Sequence, residues 1–352
     1  MMAIAPHFVD RCQPVGPLPQ VMCGAAVAIG NFDGIHRGHQ AVLDFAMTRA
    51  KRSGLRAIML TFEPHPRTLF RPDKPVFRLS PHTEKAQLAR AMGMDAVLSL
   101  NFTHEFSTKS PQRFIDKVLI EALQAKHVIS GYDFHFGENR SGTPDYLRAQ
   151  GEHRGFGVDI VDMKSDCSGD AVSSTRIRQA LEDGAVQTAN RLLGYRHFVC
   201  GTIRPQKTHC RQLETVTASL CMTKNYRIKA GVYAVKVIRS DGSTHNGIAR
   251  HAQHPALEAN NRMLELHLFD FNSVLSGEQI SVIFHDRLRS EQMFEQQDDF
   301  LVQMNTDLAQ AQAVLQDAKP LSEFEDRLWS RYPVSMPEKA QHNATCSVGT
   351  RA

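Results

Sequence analysis

No CxxC pair occurs in the 352 residues, and the seven cysteines (Cys12, Cys23, Cys167, Cys200, Cys210, Cys221 and Cys346) are odd in number and irregular in spacing. That argues against a disulfide framework or a zinc site and for reduced thiols. No run approaches the roughly 18 apolar residues of a membrane-spanning helix. The opening stretch, MMAIAPHFVDRCQPVG, holds no apolar signal core, so the cytoplasm is the expected location. Neither sign of charge dominates: 41 Lys and Arg stand against 37 Asp and Glu, a net +4. There is no long basic stripe and no aromatic-interleaved basic patch, so neither nucleic acid nor membrane is an expected partner. The small excess suits anionic small molecules, and an oligomer stays possible. The phosphate loop GxxxxGK[ST] is missing, which excludes that class of nucleotide site. There is no internal repeat.

The composition, 42% hydrophobic and 22% charged, is that of a soluble globular chain, and the length suggests about two domains. The first half alternates strand-like and helix-like runs. Strands are expected at Ala25–Ile29, Arg56–Phe62, Ala96–Leu100, His127–Gly131 and Val158–Met163. Helices are expected at His36–Arg52, Pro81–Met92, Pro111–Leu123, Thr143–Arg148 and Ser174–Leu181, with Gly54 and Gly184 as stops. This alternation predicts an α/β fold, a doubly wound parallel sheet whose ligands sit at the carboxyl ends of the strands. After Gly194 the helical runs vanish. Gly201–Arg204, Gly231–Arg239, Leu264–Phe271 and Gln279–Phe284 read as strands of a small antiparallel barrel, followed by a helix at about Glu295–Leu315. The expected division is an N-terminal domain over 20–195, a barrel domain over 196–318 and a polar tail over 333–352.

With 17 histidines, no single one counts as a site without a local argument. The strongest local argument is Gly30-Asn31-Phe32-Asp33-Gly34-Ile35-His36-Arg37-Gly38-His39, where a strand hands over to a helix. A helix N-terminus there can face an anion, and His36 and His39 share a helix face. Donors so placed suit transfer of an adenylyl group, in which a phosphate attacks the α-phosphorus of ATP and charge builds on the surrounding oxygens. No protein nucleophile is needed. Ser173-Ser174-Thr175-Arg176-Ile177-Arg178 offers hydroxyls, amides and two guanidiniums at another helix start. Gly131-Tyr132-Asp133-Phe134-His135-Phe136-Gly137 follows a strand and sets aromatic residues beside a carboxylate and glycines that could hold a planar ring and its ribose; Thr61-Phe62-Glu63-Pro64-His65-Pro66 ends a strand and holds His65 rigidly between two prolines.

In order, these four segments closely resemble the pattern GxFDGxHxGH, PHP, GxDFxFG, SSTxIR of the prokaryotic bifunctional riboflavin kinase/FAD synthetase family, over about residues 20–195. HxGH alone would indicate only the wider nucleotidyltransferase superfamily; the PHP and DFxFG segments select the flavin branch. The resemblance implies that His36 and His39 contact ATP phosphates, and that Gly30, Asn31, Phe32, Asp33 and Gly38 shape the nucleotide pocket. It implies that Ser174, Thr175, Arg176 and Arg178 hold triphosphate. Phe62, Pro64, His65, Asp133, Phe134 and Phe136 would serve the flavin, and Mg²⁺ would arrive with ATP. The substrates implied are ATP and FMN, the product FAD.

The second half resembles the family's riboflavin kinase barrel unevenly. Gly231-Val232-Tyr233-Ala234-Val235 and Leu264-Glu265-Leu266-His267-Leu268-Phe269-Asp270-Phe271 match, but the motif GxxLGFPTAN reads Cys210-Arg211-Gln212-Leu213-Glu214-Thr215-Val216-Thr217-Ala218-Ser219. Thr217 survives, Ser219 stands in the slot of a metal-holding Asn, and Glu265 occupies the place of the general base. The expectation is an FMN adenylyltransferase with a degenerate kinase site at Thr217, Ser219 and Glu265. The alternatives are a bifunctional enzyme with a divergent kinase loop and a non-catalytic flavin or nucleotide sensor.

Overall fold

The structure is a computed structural model and describes residues 7–11, 18–204, 217–223, 225–253, 262–271, 273 and 275–330. The expected tail and most of the divergent kinase motif, 210–216, lie outside the described residues.

Six strands form an all-parallel sheet: β1 (His7–Arg11), β2 (Ala26–Ile29), β3 (Ala57–Glu63), β4 (Ala96–Asn101), β5 (His127–Gly131) and β6 (Gly157–Val161), in the order β1-β4-β3-β2-β5-β6. From β2 the chain walks one way through β3 to β4, then returns to place β5 on the other side of β2. The direction of winding thus reverses at β2, and the crevice at its carboxyl end is where such sheets bind ligands. The edge strand β1 precedes the region from which the sequence predicts structure.

The intervening helices are α1 (Arg37–Ser53), α2 (Pro66–Phe70), α3 (His82–Met92), α4 (His104–Ser107), α5 (Pro111–Phe114), α6 (Pro144–Arg154), α7 (Ser174–Glu182) and α8 (Val186–Leu193); α5 runs on into a π-helical stretch, Ile115–Ala122. Both faces of the sheet are covered, as parallel sheets require. Along β2, Ala26 and Ala28 pack with Val42, Leu43 and Ala46 of α1, while Val27 and Ile29 pack with Ile115, Val118 and Leu119. Fully burying a Leu or Ile contributes about 1.5–3 kcal/mol, so this alternation fixes which helix covers which face. Gly54 ends α1 in the left-handed conformation, φ 64°, its N–H bonded to the Ala50 carbonyl.

The second sheet is antiparallel: β7 (Phe198–Thr202), β8 (Thr217–Cys221), β9 (Gly231–Arg239), β10 (Thr244–Gln253), β11 (Arg262–Leu268) and β12 (Gln279–Arg289), ordered β7-β12-β9-β10-β11-β8. A bridge between Ile203 and Leu220 joins the two end strands, so the sheet curls into a near-barrel, as expected. Two helices follow, α9 (Gln297–Leu315) and α10 (Glu323–Ser330). β10 was not foreseen, because its run THNGIARHAQ mixes polar and apolar residues without strand-like enrichment.

The two sheets share a core. Tyr195, Phe198 and the barrel's Tyr233 and Phe284 belong to the same buried cluster as α1 and α3. Asn190 of α8 donates to the Phe284 carbonyl (3.0 Å), and Glu84 of α3 accepts from the Cys200 amide (3.0 Å). Among the described residues, no helix is long and apolar enough to cross a membrane.

Candidate active site

The carboxyl ends of β2, β3, β5 and β6 open onto one cavity of about 1380 Å³. The connection from β2 into α1 forms its floor and is conformationally costly. Phe32 and Ile35 hold φ of 46° and 30°, and strained positions of this kind cost of order 1–3 kcal/mol each. Such a loop survives only if its surroundings over-determine it. Ser80 Oγ accepts from the Gly34 amide (2.7 Å), and the Tyr195 hydroxyl donates to the Gly34 carbonyl (2.6 Å). Ser174 Oγ donates to the Asp33 carbonyl (2.8 Å), tying α7 to the loop. Gly34 sits at φ +85°, and a Cβ there would lie 2.9 Å from Leu79.

Asp33 is a hub turned into the protein. Its carboxylate accepts from the Leu79 and Ser80 amides and from Arg178, with Arg78 at 3.6 Å. Burial alone would raise its pKa, but Arg78, Arg178 and Lys85 override that and hold the carboxyl well below the usual carboxylate range. Asp33 thus fixes the loop electrostatically and keeps Arg178 at the cavity wall.

His36 caps α1: its Nδ1 accepts from the His39 amide (3.3 Å). With Nδ1 an acceptor, the proton of the neutral ring sits on Nε2. Burial, with a further contribution from Arg178, lowers the His36 pKa to about 4 against the opposing effect of Asp33. Burial and the neighbouring His36 push His39 well below the ordinary imidazole value. Both rings are therefore neutral at pH 7. They stack 3.7 Å apart at 18°, and His39 meets the Phe32 ring edge-on. Gly38 permits this approach, since a Cβ there would come within 3.1 Å of the His36 ring.

A second helix N-terminus borders the same cavity. Ser173 caps α7, and Ser174, Thr175 and Arg178 line the wall. The other wall is aromatic. Phe62, Phe102, Phe106, Phe114 and Phe136 form a chain of ring contacts with centroids 5.3–6.2 Å apart, and Phe134 stacks on Phe136 at 5.6 Å. His65 is buried beside it, capping α2 through Nδ1, with its pKa lowered by burial to about 4.

Of the residues the sequence singles out, Gly30, Asn31, Phe32, Asp33, His36, Gly38, His39, Phe62, His65, Asp133, Phe134, Phe136, Ser174, Thr175 and Arg178 all border this cavity. Two others assigned to this site, Pro64 and Arg176, do not. Arg176, expected at the triphosphate, is turned away: its guanidinium bonds Asp166 (2.7 Å) and the Ala171 carbonyl (2.8 Å), bracing the 164–172 loop. Sequence reasoning missed Arg78, Ser80, Lys85 and Tyr195, which hold the floor from distant segments. The Ser80-Pro81 pair signals a helix start, but nothing local signals that Ser80 reaches Gly34.

In the barrel, Glu265 borders a smaller cavity of about 450 Å³ together with Arg250 and Glu291. Arg250 pairs with Glu265 (3.0 Å) and Glu291 (2.6 Å). Ser219 is buried on β8 directly opposite Glu265 in the β11 register; the side chain of Thr217 lies outside the described residues.

Comparison with known proteins gives the same two-part division of features. The FAD synthetase family profile matches residues 18–176 and the riboflavin kinase profile residues 193–315. The chain is 36% identical to the bifunctional riboflavin kinase/FMN adenylyltransferase of Pseudomonas fluorescens over 83% of its own length and 93% of that protein. It is 35% identical to the enzyme of the same name from Listeria monocytogenes, over 80% of the chain and 89% of that protein. For the Escherichia coli K12 counterpart the figures are 33%, 84% and 95%. A crystal structure described as a macrolide-efflux protein from Streptococcus pneumoniae superposes with a TM-score of 0.77 at 26% identity, covering 89% of this chain and 99% of that one. These matches run through both halves and lend no support to the expectation of a degenerate kinase module. The chain belongs to the family of bifunctional riboflavin kinase/FMN adenylyltransferases.

Proposed function

We propose that the chain transfers the adenylyl group of MgATP to the phosphate of FMN, releasing pyrophosphate and forming FAD. One observation carries this reading: two helix N-termini with their polar side chains adjoin an aromatic wall within a single cavity. Its volume of about 1380 Å³ exceeds the roughly 300–1,000 Å³ of a single small-ligand site and suits two substrates.

On this reading a phosphate oxygen of FMN forms a bond to the α-phosphorus of ATP, and the bond from that phosphorus to the α,β-bridging oxygen breaks. FMN phosphate is already ionised near pH 7, so no base is required. His36 presents its Nε2 proton to the phosphate oxygens, and His39 flanks it. As neutral donors they add no charge that solvent would have to be stripped from, and the arriving triphosphate raises their proton affinity as charge builds. Ser174, Thr175 and Arg178 take the leaving pyrophosphate end. Phe62, Phe134, Phe136 and His65 face the flavin, with Asp133 beside the ring or the ribose. Among the described residues no three His, Cys, Asp or Glu side chains are grouped to hold a metal ion, and Asp33 is fully committed to protein donors. On this reading Mg²⁺ enters as part of MgATP. We assign this activity to residues 20–195 and the barrel to 196–318.

A specific observation favours a second activity. The riboflavin kinase profile spans 193–315, and the relatives are aligned across both halves. The bifunctional reading therefore fits at least as well as adenylyl transfer alone, with Glu265 as the base for the riboflavin hydroxyl. The test is the full chain with MgATP and, separately, FMN, riboflavin, nicotinamide mononucleotide or phosphopantetheine. FAD from FMN supports the main reading, and FMN from riboflavin promotes the bifunctional one. Consumption of either non-flavin acceptor in place of FMN overturns the flavin assignment.

A further inference from the structure

Lys85 lies in the first turn of α3, only 3% exposed, and does not border the cavity. Its Nζ donates to the Asn31 carbonyl (2.9 Å) and to Thr61 Oγ1 (3.1 Å), and Thr61 Oγ1 donates to the same Asn31 carbonyl (3.0 Å). The three groups close a triangle directly beneath the β2–α1 connection. The far end of that connection, at Gly34, is held by Ser80 and Tyr195. Its near end, immediately before the strained Phe32, is held through the Asn31 carbonyl by Lys85 and Thr61. With that carbonyl drawn inward, Asn31 stays exposed at the cavity and α1 starts where His36 and His39 lie against each other.

We infer that Lys85 is a positioning residue for adenylyl transfer: its ammonium fixes the Asn31 carbonyl and so aims the segment carrying His36 and His39 at the phosphates. The inference rests on the adenylyltransferase reading given above. An ammonium is a costly choice for a fully buried site, since an apolar side chain would fill the space without desolvating a charge. Asp33 and His39 face it from the connection and α1, Glu63 and His65 from the end of β3, and Arg78 from the segment ahead of α3. Burial, with Arg78, lowers the Lys85 pKa to about 8, against the opposing effect of Glu63 and Asp33. Asp33 and Glu63 are held low, His36 and His65 titrate near 4, His39 lies well below its ordinary value, and Arg78 is raised. None of these neighbours changes charge between pH 7 and 9, whereas Lys85 does, losing its proton as pH rises through about 8.

The experiment compares the full chain with Lys85→Met, which has no donor, and Lys85→Gln, which keeps a donor that does not titrate. Misplacement by an ångström costs about a hundredfold in rate, so Lys85→Met should lower kcat by roughly 10- to 100-fold. The KM for ATP should change much less, and Lys85→Gln should retain more activity. The wild-type rate should fall as pH rises through about 8, and that alkaline limb should be gone in both variants. Wild-type kcat in Lys85→Met, or a limb that persists in the variants, overturns the inference. Deuterium exchange over residues 30–36 needs no substrate and judges Lys85 even if the wild type makes no FAD. Faster exchange there in Lys85→Met upholds the positioning role, and unchanged exchange overturns it. Should Lys85→Met not fold, Lys85→Gln and the wild-type pH profile decide alone.

Discussion

Replacing His36 separates two jobs that one ring performs. Its Nδ1 caps α1, and the ring borders the cavity, where on the proposed reading its Nε2 proton serves the phosphates. Loss of an N-cap costs about 1 kcal/mol, which for a protein of this size lowers the thermal midpoint by roughly 2 °C. Loss of one transition-state donor costs about 10²–10³ in rate, or about 2.7–4 kcal/mol. His36→Ala should show both effects. His36→Asn should show only the second, because an Asn side chain caps a helix as well as Ser or Asp but does not reach the position of Nε2. The assay is FAD formation from FMN and MgATP, with thermal unfolding of each variant in parallel. If His36→Asn recovered the rate along with the midpoint, or if His36→Ala stayed within a few-fold of wild type, the ring would be a helix cap and nothing more.

Arg178→Ala should depress adenylylation more than Arg176→Ala, since Arg178 lines the cavity and pairs with Asp33 while Arg176 braces the 164–172 loop; steady-state kinetics with equal effects would contradict the assignment. Acid should destabilise the fold well before the carboxylates titrate. Burial lowers His36, His65 and His197 to about 4 and His285 to about 3, so the unfolded chain takes up protons below about pH 6.5 that the folded chain refuses. The stability of the neutral rings is full above that pH and is lost as pH falls towards 4 and, for His285, towards 3, on the order of 3–5 kcal/mol per histidine. Thermal midpoints that stay level from pH 7 to 5 would refute this.

The parallel sheet and the two helix starts that border the cavity were legible because they are local. Gly30 to His39 carries a strand–turn–helix signal within ten residues, and Ser173 to Arg178 a cap and helix start within six. The parts that were not legible depend on distance. The charge of Glu84 and Lys85 suggests solvent, yet both lie on the buried face of α3, one against the barrel's Cys200 amide and one beneath Asn31. Tyr195 reads as a core aromatic just past α8, with nothing in its neighbourhood to show that its hydroxyl reaches Gly34. Arg176 looked like a phosphate ligand because two arginines follow the cap. Two residues apart on a helix, they point about 200° from each other, so only Arg178 faces the cavity. β10 was missed because a barrel strand's pairing, rather than its composition, decides that it forms.

Transfer of the α-phosphate is the central claim, and isotopic labelling tests it most directly. The full chain is incubated with FMN and ATP labelled at the α-phosphorus, and the products are separated by chromatography. The account requires the label to appear in FAD, with one pyrophosphate released for each FAD formed. Label that remains in ATP, or that passes to another acceptor while FMN is untouched, would contradict it.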